Sequence, residues 1–93
     1  MNEFLNRQFA QIRQSVIDYK NSEISLNSLI NRIEAIGRII GDEFWDKQMF
    51  PIVLDLERIN SEIIDKHRQL SESESTKINI ILNQLENILV ASG

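Results

Sequence analysis

Apolar residues recur along this chain at steps of three and four, with few interruptions, and each uninterrupted stretch predicts one amphipathic helix. From about Glu3 to Lys20 the stripe is Leu5, Phe9, Ile12, Val16 and Tyr19, with Arg7, Gln11 and Gln14 on the wet side. Phe4 and Ile17 lie off that line. Asn21, Ser22 and Glu23 are turn-forming residues and end the pattern. Ser25 can cap a second helix by accepting from first-turn backbone donors. Ile24 before the cap and Leu29 after it have the spacing of a hydrophobic staple. Leu26, Leu29, Ile30, Ile33, Ile36 and Ile40 then share a face that includes Gly37. A helical glycine costs about 1 kcal/mol relative to alanine, so close approach of a neighbouring backbone is expected at Gly37. Gly41 suits the left-handed residue that ends a helix, and Asp42 suits the cap of the next.

The longest pattern runs from Asp42 to Leu70, with Trp45, Met49, Ile52, Leu56, Ile59, Ile63 and Leu70 on one stripe. Pro51 lacks a backbone donor and its ring crowds the preceding turn. Either one helix ends near Met49 and another starts at Pro51, or a single helix bends there. The stripe keeps phase across the proline, which favours the bend. After Leu70 comes SESEST, where Ser71 and Glu74 have capping-box spacing. A last stripe of Ile78, Ile81, Leu82, Leu85, Ile88 and Leu89 should fray at Ala91-Ser92-Gly93. Short connections make sequence neighbours antiparallel neighbours. The expectation is an all-α fold: one domain spanning residues 1–93, an antiparallel bundle of about four helices with a long central helix kinked at Pro51.

Composition narrows the function more than the fold. With 93 residues the chain supports one core, and an apolar fraction of 42% excludes wholesale disorder. There is no cysteine, which removes disulfides, thiolate metal sites and thiol nucleophiles. Fourteen acids against ten bases give a net charge of −4. Duplex nucleic acid is a poor partner for such a chain, because its binding depends on Lys and Arg neutralising phosphates. A basic protein is a better one. The start, MNEFLNRQFAQIRQ, has neither the charged beginning nor the apolar run of a signal peptide, and no apolar run suits a membrane span. A soluble cytoplasmic protein is expected.

Candidate chemistry is sparse. The single histidine, His67, has no carboxylate or second imidazole at ligand spacing, since residues 63 and 64 are both Ile. Asp42, Glu43 and Asp46 cluster at a helix start, where its dipole stabilises them by about 0.3–1 kcal/mol each, and they lack the glycine-bearing turn of a calcium loop. Gly37 and Gly41 form no phosphate loop, and Ser71, Ser73 and Ser75 have no nucleophile-elbow context. No catalytic residue, metal site or cofactor is expected, and no enzyme activity.

A second face of the central helix carries Glu43, Asp46, Phe50, Val53, Leu54, Glu57 and Ile64. Val53 and Ile64 are equally well read as more core. Phe50 and Leu54 turn further out. Apolar groups ringed by acids have the composition of a surface for a basic partner. The candidate partner-binding residues are therefore Glu43, Trp45, Asp46, Phe50, Leu54 and Glu57, with Trp45 or Phe50 as anchor.

The run Tyr19-Lys20-Asn21-Ser22-Glu23-Ile24-Ser25-Leu26, then Leu29-Ile30, Ile33-Glu34 and Ile36, followed by Asp42, Trp45 and Leu56-Glu57, resembles short all-helical bacterial proteins. Some of these are immunity proteins of contact-dependent or polymorphic toxin systems. The resemblance spans roughly residues 19 to 57. The glycine common before the I-S-L triplet is replaced by Ser22-Glu23, and the paired tyrosines of nuclease-colicin immunity proteins are absent. What the resemblance implies is a protein that binds one cognate toxin and blocks it. Taken with the acidic balance, the expected partner is a basic, nuclease-type toxin C-terminal domain and the expected mechanism is occlusion. The other reading is a self-associating helical module, with a homodimer held by Phe50 and Leu54.

Overall fold

The computed structural model describes residues 3–66 and 69–92. They form four helical rods with no strand among the described residues, and the expected all-α bundle is what the chain adopts. The first rod is α1, Glu3–Lys20, and the second is α2, Leu26–Ile40. The third, residues 42–66, has three parts: α3 (Asp42–Phe44), a π-helical turn (Trp45–Met49) and α4 (Phe50–Lys66). The last rod is α5, Glu72–Ser92. His67, whose role was considered above, lies outside the described residues.

Local signals set the ends of these rods. Ser25 Oγ accepts from the Ser28 amide at 3.1 Å, the expected cap of α2. At the start of α5 the capping box is complete: Glu74 N–H donates to Ser71 Oγ at 3.1 Å, and Ser71 N–H donates to Glu74 Oε1 at 3.0 Å. The end of α1 closes through a Schellman motif. Glu23 N–H donates to the Asp18 carbonyl at 2.8 Å and Ser22 N–H to the Tyr19 carbonyl at 3.0 Å. That motif places Ser22 at φ 62, where glycine is the unstrained choice. Two expected ends differ. The third rod is described as far as Lys66 and Leu70 lies outside any helix, and α5 continues through Ala91 and Ser92 instead of fraying there.

Packing follows the stripes. Phe9, Ile12, Leu29, Ile33, Met49, Leu56, Ile78, Leu85 and Leu89 are all buried in one core. Ser15 is buried as well, and its hydroxyl donates back to the Gln11 carbonyl at 3.0 Å. A small side chain there allows α1 and α2 to lie close. The rings of Phe9 and Phe44, 5.7 Å apart, join the start of α1 to the α2–α3 junction. Asp18 of α1 pairs with Arg32 of α2 at 3.4 Å. The long rod does not hold the centre alone: α2 lies between α1 and the rod, and the rod lies between α2 and α5. Contact between α1 and α5 is slight. Among the described residues no helix is long and apolar enough to cross a membrane.

Candidate functional site

The candidate face is built by an irregular start to the third rod. Gly41 adopts φ 142 and ψ 157, an extended region with positive φ that only glycine occupies without strain. It is therefore not the left-handed helical residue expected. The space around it is open, so the requirement is conformational. Gly41 is itself the N-cap of α3, with no side-chain capping bond; Asp42 sits in the first turn and is not the cap.

The rod then widens. Within the π turn the Phe50 N–H donates to the Trp45 carbonyl, a step of five residues. In a regular α-helix the Pro51 ring would crowd the carbonyl of Lys47. Lys47 lies inside the π turn, so the coil is wider where that crowding would fall. Helical backbone continues through Pro51 to Lys66 without a break. The π turn also brings residues five apart onto neighbouring directions, and the rings of Trp45 and Phe50 sit 6.1 Å apart, tilted.

Gly37 explains how Trp45 can lie where it does. A Cβ built on Gly37 would fall 2.9 Å from Trp45 Cε3 and 3.2 Å from Met49 Cγ. The close approach expected there is made by two side chains, not by a backbone. Of the two candidate anchors Phe50 is the exposed one, while Trp45, 7% exposed, is buried with the stripe on which its spacing placed it. It belongs to the core, and only its outer face is covered by a charged group. That group is Arg38, whose guanidinium lies 4.7 Å from the ring centroid, an arrangement worth about 0.5–1 kcal/mol at such a surface.

The remaining candidates stay on the outside. Phe50 is 46% exposed and rests against Trp45. Leu54 is half-buried, while Glu43, Asp46 and Glu57 are exposed. Glu43 Oε1 is paired with Lys47 at 3.0 Å, which offsets part of its charge. Val53 and Ile64 separate: Val53 is core at 2% exposure and Ile64 is 55% exposed. Sequence reasoning missed Arg38 and the π turn. A tryptophan and a phenylalanine five apart, just before a proline, were the available signal.

Elsewhere the described surface also holds open grooves. One, of about 630 Å³, lies where the α1–α2 link meets α5, and is lined by Tyr19, Lys20, Glu23, Ser25, Leu70 and Ile78 among others. Burial pushes the Tyr19 phenol above its ordinary value, so it remains protonated at neutral pH. Among the described residues no group of three acids or histidines could hold a metal ion. Comparisons of the chain with protein-family models, with curated proteins and with solved structures give no match.

Proposed function

We propose that this chain is a cytoplasmic immunity protein, a stoichiometric inhibitor that binds the C-terminal domain of one cognate bacterial toxin and occludes its active surface. The observation that carries this reading is Phe50, held half out of the protein on a buried Trp45 platform, with exposed carboxylates at Asp46 and Glu57 on the same rod. A rigid aromatic at the centre of an interface supplies contact area at low entropic cost, and surrounding charges select the partner and speed encounter. For a basic, nuclease-type toxin the carboxylates would occupy the places of substrate phosphates. Net charge of −4 supports the same polarity. Inhibition by occlusion needs no catalytic group on this chain.

The test begins with the reading frames beside this chain's gene: a C-terminal toxin domain encoded there is assayed for activity with and without an equimolar amount of the protein. Inhibition is expected, reduced at least tenfold by Phe50→Ala and by Asp46→Lys combined with Glu57→Lys. Undiminished toxin activity at equimolar protein would end this reading.

A further inference from the structure

The outward side of the third rod has an order that reads alike in both directions. Its residues are Asp46, Lys47, Phe50, Leu54, Glu57 and Arg58, separated by steps of one, three, four, three and one. From Phe50 to Arg58, steps of three and four keep side chains on one face of α4. Asp46 and Lys47 precede them in the wider π turn, where a four-residue step joins Asp46 to Phe50. All are exposed except the half-buried Leu54. Reversing the series exchanges each charge for its opposite. Asp46 changes places with Arg58, Lys47 with Glu57, and Phe50 with Leu54.

We propose that this face pairs two copies of the chain, rod against rod and antiparallel, about a two-fold axis midway between Phe50 and Leu54. In that register Phe50 of each copy meets Leu54 of the other, and the apolar centre is flanked on both sides by Asp46 with Arg58 and Lys47 with Glu57. A two-fold interface requires that if one residue meets a second, the second also meets the first, and this series satisfies the condition at every position. Phe50, Leu54 and Arg58 also lie on one ridge of four-residue spacing along α4, the kind that interdigitates in the commonest helix crossing.

The charges are available for such pairing. Asp46 and Glu57 make no ion pair with any other described residue. Lys47 holds Glu43 at 3.0 Å and Arg58 holds Asp55 at 3.8 Å, but these side chains are largely exposed, so either contact exchanges readily. Beside Arg58, Ile80 of α5 is 53% exposed and widens the apolar footprint beyond the rod. A reversed copy meets an opposite charge each time, which is why the occupant is a second copy. One helix crossing buries less than the roughly 800 Å² per partner of a standard interface. The dimer is therefore weak and reversible, and it covers residues that the proposed inhibitor role uses. The inference does not depend on that role.

Sedimentation equilibrium of the full chain alone, over a concentration series from micromolar to millimolar, tests it without any partner protein present. The mass should rise from monomer towards dimer. Asp46→Arg and Arg58→Glu should each weaken the dimer by about tenfold, since the two-fold axis repeats every mismatch. The double variant restores opposite charges and should return to within about threefold of the parent. Leu54→Asp should leave a monomer whose circular-dichroism spectrum is unchanged. A chain that stays monomeric throughout overturns the proposal. So does a dimer indifferent to both single reversals, or a double variant no better than either one.

Discussion

The bundle is closed very differently at two of its seams. Where α2 meets the third rod, Gly37 lies against Trp45 and Met49 so tightly that a methyl group has no room. Where α1 meets α5, a groove of about 330 Å³ remains over Val16, Leu82, Leu85 and Leu89. It is spanned by an exposed Arg13–Glu86 pair at 3.2 Å. Adjacent rods joined by short links are held together before any side chain packs. The first and last rods have no link between them, and loop-closure entropy opposes their meeting. The tight seam, not the open one, also carries the irregular turn. A widened coil is tolerated where dense packing on one side holds it in place.

The largest effect that tests this contrast is Trp45→Ala, which should cost about 3–5 kcal/mol in urea unfolding; a loss near zero would mean that the ring is not core. Gly37→Ala comes next. Crowding against a fixed indole costs about 1–3 kcal/mol, against roughly 1 kcal/mol gained in helix propensity. A net loss on the order of 1 kcal/mol is expected, and a gain would show the tight seam to be slack. Ser22→Gly should raise stability by about 0.5–1 kcal/mol, because it removes the left-handed strain at the end of α1.

On the open seam, a double-mutant cycle through Arg13→Ala and Glu86→Ala should give a coupling below about 0.5 kcal/mol that vanishes in high salt. The smallest effect is alkaline. Tyr19 binds its proton more tightly when folded, so it contributes stability below its unfolded value of 10.0 that is lost as pH rises past it. Tyr19→Phe should flatten the fall in melting temperature above that pH and change little at neutrality.

Much of the fold was legible because its causes are local. The cap at Ser25, the box at Ser71 and Glu74, and the α1 boundaries depend on residues three or four apart. The buried faces of α1, α2 and α5 follow directly from the spacing of Phe9 and Ile12, of Leu29 and Ile33, and of Ile78, Leu85 and Leu89. The candidate site was legible only in part. Phe50, Asp46 and Glu57 are outside as expected and Trp45 is buried with the stripe its spacing placed it on, which leaves Phe50 as the exposed one of the two candidate anchors.

Periodicity assumes a constant turn of 3.6 residues, and the π turn breaks that assumption at the place where the site lies. What the order of residues determined alone was four amphipathic rods, their caps and the stripes they bury. Tertiary structure decided where the coil widens, that a missing side chain at Gly37 admits an indole, and that one seam closes while another stays open. Those outcomes depend on contacts between residues far apart in the chain, which no local pattern encodes.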